Sequence, residues 1–309
     1  MKKVFIDGSA GTTGLRIYER LSGRRDIGLI TLPEKLRKDN NARKDAINSA
    51  DIVFLCLPDA AAVEAVSFVE NLDTCIIDTS TAHRTAEGWT YGFPEIGNRK
   101  AEIIKSKRIA NPGCHASGFI ALVAPLIEMG ILKRDISLSC FSLTGYSGGG
   151  KKMIAQYEDS ARDKLLDAPR MYALSQAHKH LPEMKAICNL ETEPVFCPVV
   201  APYYSGMQVT VPILKSMVQI GIEDIENAYR QYYQGTVVRY NKNVDQAGFV
   251  SAALFEGRDD MAISVFGNDD RILLVSSFDN LGKGASGAAI QNMNLVLGTD
   301  ETEGLVIGG

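Results

Sequence analysis

The opening of the chain constrains its fold most. Lys3-Val4-Phe5-Ile6 is a short apolar run. Gly8-Ser9-Ala10-Gly11-Thr12-Thr13-Gly14 follows it, and Leu15, Ile17, Tyr18 and Leu21 then recur near helical spacing. Strand, glycine-rich turn and helix, in that order, open a dinucleotide-binding βαβ unit. The glycines are spaced GxxGxxG, not the GxGxxG of the common fingerprint. Bare backbone at such a turn lets N–H groups approach a pyrophosphate at a helix N-terminus. The alternative is a tight turn with no ligand.

The next segments repeat the alternation. Ile27 to Leu32 reads as a second strand, Asp51 to Leu57 as a third, Thr74 to Asp78 as a fourth and Arg108 to Ala110 as a fifth, with a helix over Ala60 to Val69. Their near-continuous apolar character is that of a parallel sheet covered on both faces. No acid follows the second strand at once; Pro33-Glu34-Lys35-Leu36-Arg37-Lys38 supplies cations instead. That leans toward NADP over NAD, against the alternative of a solvated basic loop. Ligands of such sheets gather beyond the carboxyl ends of the strands. The glycine loop, Leu57-Pro58, Asp78-Thr79-Ser80 and Cys114 are all expected there.

A chain of 309 residues favours two domains. After Cys114 the pattern changes. Ile136 to Leu143 predicts a strand ending in a flexible, glycine-rich loop that carries Lys151 and Lys152, followed by a helix through Met153, Ile154 and Tyr157. Val195 to Val200 and Met207 to Ile213 read as strands, Ile222 to Tyr233 as an amphipathic helix, and Met261 to Phe266 with Arg271 to Phe278 as a hairpin around Gly267-Asn268-Asp269-Asp270. The expected fold class is α/β. It comprises a Rossmann-type dinucleotide-binding domain with a parallel sheet, plus an α+β catalytic and dimerisation domain with a largely antiparallel sheet. The expected division is 1–113 with 283–309 for the first, its last helix returning, and 114–282 for the second; the tail from Gly298 is expected to lie on the surface or move.

Composition narrows the setting. Apolar content of 45%, charged content of 23% and net charge −4 are those of a soluble protein without a basic nucleic-acid footprint. No stretch approaches the roughly 18 apolar residues of a membrane helix. Six scattered cysteines with no CxxC pairing argue against a zinc site or a disulfide framework and fit a reducing cytoplasm.

The chemistry centres on Asn111-Pro112-Gly113-Cys114, which runs into the apolar segment Phe119 to Ile127. Pro112 and Gly113 break what precedes them, so Cys114 is expected at a helix N-terminus. Unpaired N–H groups and the helix dipole favour a thiolate there, and a thiolate so placed suggests covalent catalysis on an acyl group. The bland alternative is a small buried residue at a helix start. His178-Lys179-His180 offers two imidazoles two residues apart, expected to face one pocket from an extended segment and to manage the proton. Ser80, Arg84, Asn111, Ser147 and Lys151 are candidate contacts for an anionic substrate. No clear third ligand accompanies the histidine pair, so no metal is expected. Cysteine, nicotinamide nucleotide and cations together imply reduction of an activated acyl group through a thioester, or the reverse phosphorylating oxidation of an aldehyde.

Over nearly its whole length the chain resembles the N-acetyl-gamma-glutamyl-phosphate reductase family in its shorter bacterial form, within the semialdehyde dehydrogenase superfamily. The glycine loop, Asp78-Thr79-Ser80, Tyr91-Gly92-Phe93-Pro94-Glu95, Asn111-Pro112-Gly113-Cys114, His178-Lys179-His180-Leu181-Pro182-Glu183 and the segment Lys283 to Asn294 carry the resemblance. It implies NADPH-dependent reduction of N-acetyl-L-glutamyl 5-phosphate to the semialdehyde and inorganic phosphate in arginine biosynthesis. Cys114 is then the nucleophile, and His178 or His180 the acid–base. Gly8 to Gly14, Leu57, Pro58 and Ser80 hold NADP(H), with Asn292 near the nicotinamide. A homodimer or homotetramer is implied. His83 and His115 stand where the longer form usually has aromatic residues. The alternatives are a related acyl-phosphate reductase such as aspartate-semialdehyde dehydrogenase, a non-catalytic NADP sensor, and a cofactor-free cysteine hydrolase.

Overall fold

The computed structural model describes residues 1–308, which divide into two compact units. The first is Met1–Pro94 with Asn98–Pro112 and Ala285–Leu305; the second is Glu95–Gly97 with Gly113–Gly284 and the residues from Val306. The observed division departs from 1–113 plus 283–309 chiefly at the tail. There Val306 N donates to Asp259 Oδ2, and Asp259 N to Val306 O, at 2.8 Å each, drawing the last residues into the second unit. The tail is also held before that point. Asn294 donates to the carbonyls of Glu301 and Glu303, so this stretch is bonded along its length rather than mobile.

In the first unit the strands are β1 (Lys2–Asp7), β2 (Ile27–Ile30), β3 (Ile52–Leu55), β4 (Cys75–Asp78), β5 (Thr90–Tyr91) and β6 (Arg108–Ala110). The helices are α1 (Thr12–Leu21), α2 (Asn40–Ser49), α3 (Asp59–Ser67) and α4 (Arg99–Lys105). The sheet order is β2-β1-β3-β4-β6-β5 and every pairing is parallel. Strand order reverses beside β1, which makes its carboxyl end the switch point where such sheets bind ligands. Alternation divides the core. Val4, Ile6, Ile52, Phe54 and Ile77 pack on one face with Ile290 and Met293, while Phe5, Val53, Leu55 and Ile76 pack on the other with Ile47 and Ala62. The expected second strand stops at Ile30, because β2 is an edge paired only with β1 and the chain leaves it for a 3₁₀ turn at Glu34–Leu36. Thr90–Tyr91 adds an unforeseen edge strand.

At the end of β1, Asp7 is buried against Arg43 of α2, with Nε and Nη2 each 3.0 Å from Oδ2. Burial raises the Asp7 pKa above 3.8 by more than Arg43 lowers it. Asp7 therefore costs stability as pH rises from 3.8 through its folded value. Gly8 follows at φ +88°, and a Cβ there would lie 2.3 Å from the Cys56 carbonyl oxygen. Only glycine fits where the loop crosses β3.

The second unit adds α5 (Cys114–Glu128), β7 (Ser139–Gly145), α6 (Gly150–Glu158), β8 (Arg170–Met171), α7 (Leu181–Ile187), β9 (Val195–Ala201), β10 (Met207–Leu214), α8 (Ile222–Tyr232), β11 (Val238–Tyr240), β12 (Met261–Asn268) and β13 (Arg271–Phe278). Its sheet, β11-β12-β13-β10-β7-β9-β8, is mixed: β7/β9 and β11/β12 run parallel and the other junctions antiparallel. Helix α5 packs on β10 and β13, and α8 on β12. Pro125 inside α5 has no N–H for the Ala121 carbonyl. The Tyr233 hydroxyl donates to that carbonyl at 2.7 Å, and Tyr229 to Leu122 O at 2.5 Å.

Three expectations shift here. Strand β7 begins at Ser139 because a turn bonds Ile136 N to Lys133 O. The glycine-rich stretch after it is no flexible loop: Tyr146 N and Ser147 N donate to Tyr203 O and Tyr204 O, a 3₁₀ turn covers Tyr146–Gly149, and Lys151 and Lys152 stand in the first turn of α6. The hairpin strands run on through Asn268 and Arg271, leaving only Asp269-Asp270 as the loop. Among the described residues no helix is long and apolar enough to cross a membrane.

Arg43→Ala should lower stability by about 3 to 5 kcal/mol near pH 7, because it strands a buried carboxylate. Urea melts at several pH values should show the deficit shrinking on acidification toward pH 3.8, as Asp7 takes up a proton in the fold.

Candidate active site

In the first unit, the loop from Gly8 to Gly14 joins β1 to α1. A Cβ at Gly14 would lie 2.5 Å from Gly8 O, so packing demands glycine there as at Gly8. Gly11 is different. It caps α1 at φ −74°, ψ 168°, which any residue adopts, and a Cβ would meet nothing closer than 3.4 Å. Neither backbone nor packing needs glycine at 11, which fits a bare position kept for a phosphate at the start of α1. Leu57 and Pro58 follow β3, and the Leu57 side chain reaches within 3.1 Å of where a Gly8 Cβ would stand. The loops after β1 and β3 therefore meet at the switch point.

Among the described residues, two buried acceptors in this unit have no protein partner. One is Thr12 Oγ1, at the start of α1. The other is Asn292 Oδ1, on α9 (Gly287–Leu297), whose Nδ2 donates to Gly92 O at 2.9 Å and to Asn111 Oδ1 at 3.2 Å. Bare glycine and orphaned acceptors suit a dinucleotide with a carboxamide donor.

Ser80, Arg84 and Asn111 cluster after β4 and β6. The buried Asp78 carboxylate accepts from Ser80 N (2.9 Å) and Ser80 Oγ (2.7 Å) and bonds His83 Nδ1 (2.6 Å), and His83 stacks on Trp89 at 4.1 Å. Arg84 donates to Asn111 O at 3.1 Å and Thr79 O at 3.2 Å. Asn111 Nδ2 donates to Ala285 O at 3.0 Å. These side chains shape the turn that Asp78 begins.

In the second unit, Cys114 is the first residue of α5, with Gly113 as its cap. The N–H groups of a first helical turn have no acceptor within the helix. Gly284 packs directly on the cysteine: a Cβ there would be 2.9 Å from Cys114 Cβ. The two histidines do come together, their ring centroids 4.7 Å apart and edge-on. The segment is a turn rather than an extended strand, because His180 is helical in conformation and caps α7. His180 N donates to His178 Nδ1 at 3.2 Å. Glu183, buried in the first turn of α7, ties this to the cysteine helix. Its Oε2 accepts from Gly113 N at 3.2 Å, and its Oε1 lies 4.0 Å from His180 Nε2.

His115, whose role the sequence left open, is buried beneath the pair with its ring 5.6 Å from each. Burial, helped by His178, pulls its pKa from 6.5 to about 3, so it is neutral. Ser147 is buried and accepts from Asn280 Nδ2 at 3.0 Å, whereas Lys151 stays exposed on α6. Sequence reasoning passed over Lys283 and Glu95. The lysine is buried, with Nζ 2.7 and 2.8 Å from the two carboxylate oxygens. The available signal was a lysine between small residues whose Phe-Pro-Glu partner lies far away in sequence.

Residues 31–104 match the semialdehyde dehydrogenase NAD binding domain, and residues 114–280 the semialdehyde dehydrogenase dimerisation domain. A Pseudomonas putida protein named N-acetyl-gamma-glutamyl-phosphate reductase 2 is 42% identical over 97% of this chain and 98% of its own. An Allorhizobium ampelinum N-acetyl-gamma-glutamyl-phosphate reductase is 45% identical over 96% and 98%. The Vibrio cholerae aspartate semialdehyde dehydrogenase II structure has the same fold, at TM-score 0.74 and 16% identity over 96% of this chain and 98% of that one. With both domains matched and these relatives spanning nearly its full length, the chain belongs to the N-acetyl-gamma-glutamyl-phosphate reductases of the semialdehyde dehydrogenase family.

Proposed function

We propose that this protein reduces N-acetyl-L-glutamyl 5-phosphate to N-acetyl-L-glutamate 5-semialdehyde and inorganic phosphate with NADPH, as a step of arginine biosynthesis. The observation that carries the reading is the Glu183 bridge. One carboxylate bonds the amide before Cys114 and approaches His180, tying the acid–base segment to the nucleophile. Cys114 sulfur attacks the acyl carbon, the C–S bond forms as the bond to phosphate oxygen breaks, and a thioester results. The Gly8–Gly14 loop would hold NADPH, with Asn292 toward its carboxamide, and the bound nucleotide would supply the hydride. The His178–His180 pair holds the thiol proton during attack and returns it when the aldehyde leaves. Arg84, Asn111, Ser80, Ser147 and Lys151 are the residues we assign to the anionic substrate. Six scattered cysteines with no CxxC pairing suit a reducing compartment, the cytoplasm.

NADP⁺ reduction by N-acetylglutamate semialdehyde, with and without phosphate, tests the reading. Phosphate-dependent turnover is expected, and comparable turnover of aspartyl phosphate in the reductive direction would overturn the substrate assignment. Cys114→Ser should lower kcat by about 10³-fold or more.

Gly11→Ala separates cofactor binding from folding. Because the backbone tolerates alanine, Tm should hold or rise slightly, while KM for NADPH should rise roughly ten-fold as the Cβ meets the pyrophosphate. A fall in Tm with KM unchanged would remove Gly11 from the cofactor site.

We place a homodimer contact on the outer face of the second unit's sheet, opposite α5 and α8. Phe141, Val195 and Leu273 are 44, 59 and 41% exposed there, and Phe141 pairs in register with Thr210 and Cys197. An apolar open sheet face of this kind suits a second copy. Sedimentation should give a dimer or tetramer for the wild type and a smaller species for Phe141→Asp; an unchanged mass would exclude this face.

A further inference from the structure

We propose that the Tyr172 hydroxyl donates a hydrogen bond to the acyl oxygen as Cys114 attacks, and that Ser142 and His115 are positioning residues that turn its proton toward the reaction. The inference rests on the reading of Cys114 as the acyl-accepting nucleophile.

Three side chains form a continuous line: Ser142 Oγ lies 2.7 Å from His115 Nδ1, and His115 Nε2 lies 2.6 Å from the Tyr172 hydroxyl. A neutral imidazole has one donor nitrogen and one acceptor, and His115 is neutral. Ser142 decides which is which. It is fully buried, and among the described residues its hydroxyl bonds only His115 Nδ1. If Nδ1 carried the proton, the serine hydrogen would be buried without an acceptor, a costly arrangement. Ser142 therefore donates to Nδ1, the ring proton sits on Nε2, and Nε2–H donates to the tyrosine oxygen.

That leaves the hydrogen of Tyr172 pointing away from His115, with no acceptor among the described residues. Burial and the negative charge of Cys114 both push the Tyr172 pKa up. The hydroxyl thus stays protonated, and His115, which it bonds, is the residue next to Cys114 in α5. Its ring is 5.9 Å from His178, and its backbone is anchored by Tyr172 N donating to Pro198 O at 3.1 Å.

In the step itself, the C–S bond forms, the carbonyl π pair moves onto oxygen, and Tyr172 O–H stabilises that oxyanion without giving up its proton. The pair returns as the leaving group departs. The histidine pair, which handles the sulfur proton, is a separate device.

Two reactions of Cys114 separate these roles without the natural substrate. Acylation by 4-nitrophenyl acetate passes through a tetrahedral oxyanion; alkylation by iodoacetamide does not. Tyr172→Phe should slow the nitrophenol burst by about 10- to 100-fold and leave the alkylation rate within roughly two-fold, with the same pH profile. Ser142→Ala removes only the hydroxyl that bonds His115 Nδ1. It frees His115 to take the other tautomer and engage the tyrosine proton, so it should slow acylation in the same selective way. The double variant should be no slower than Tyr172→Phe alone. Equal loss of both reactions, acylation within two-fold of wild type in either single variant, or additive effects in the double would overturn the proposal. If Tyr172→Phe does not fold, Ser142→Ala decides alone. Failure to turn over N-acetylglutamate semialdehyde bears only on the substrate assignment.

Discussion

Helix α5 is apolar on nearly every side and buried from His115 to Leu126, and the second unit is built around that constraint. A helix with no solvated face cannot leave polar backbone groups to water. Its Pro125 defect is covered by Tyr233 just after α8, and its interior rests on β10 and β13. Its N-terminus is the end that cannot be closed from within, and Cys114 occupies that end. The cap is Gly113, which contributes no side chain. The helix start is instead met by neighbours: the Glu183 carboxylate on Gly113 N, bare Gly284 against the cysteine, and the histidine turn that leads into α7. The same packing that stabilises the helix therefore concentrates polar chemistry at the one place where its dipole points.

The buried charges elsewhere follow a related logic. Asp7 with Arg43, and Lys283 with Glu95, are ion pairs withdrawn from water. Asp78 is a carboxylate met by a serine, a backbone amide and a histidine. Such groups add little net stability compared with apolar replacements. Each instead fixes a loop: the glycine turn after β1, the segments around Glu95 and Lys283, and the turn carrying Ser80 and Arg84. Directional bonds specify loop geometry more sharply than apolar contact does.

Much of this was legible in the amino-acid sequence. The alternation within Val4-Phe5-Ile6 and Ile52-Val53-Phe54-Leu55 announces a sheet covered on both faces, and Pro112-Gly113 before an apolar run announces the start of α5. Errors fell where local signals compete with distant partners. The glycines after β7 read as flexibility, yet Tyr203 and Tyr204 carbonyls pin that stretch and Lys151 moves onto a helix. His178 and His180 read as a strand pair because two-residue spacing is ambiguous, whereas the turn conformation of His180 brings the rings edge to edge.

By itself, the sequence determined the βαβ opening and the place of Cys114 at a helix start, because periodicity, glycine and proline act over a few neighbouring residues. Tertiary structure alone decided the line from Ser142 through His115 to Tyr172, the carboxylate that bridges His180 to Gly113, and the burial of Lys283 on Glu95. Those arrangements depend on hydrogen-bond geometry between residues brought together only by folding, and no local spacing encodes the direction in which a buried proton points.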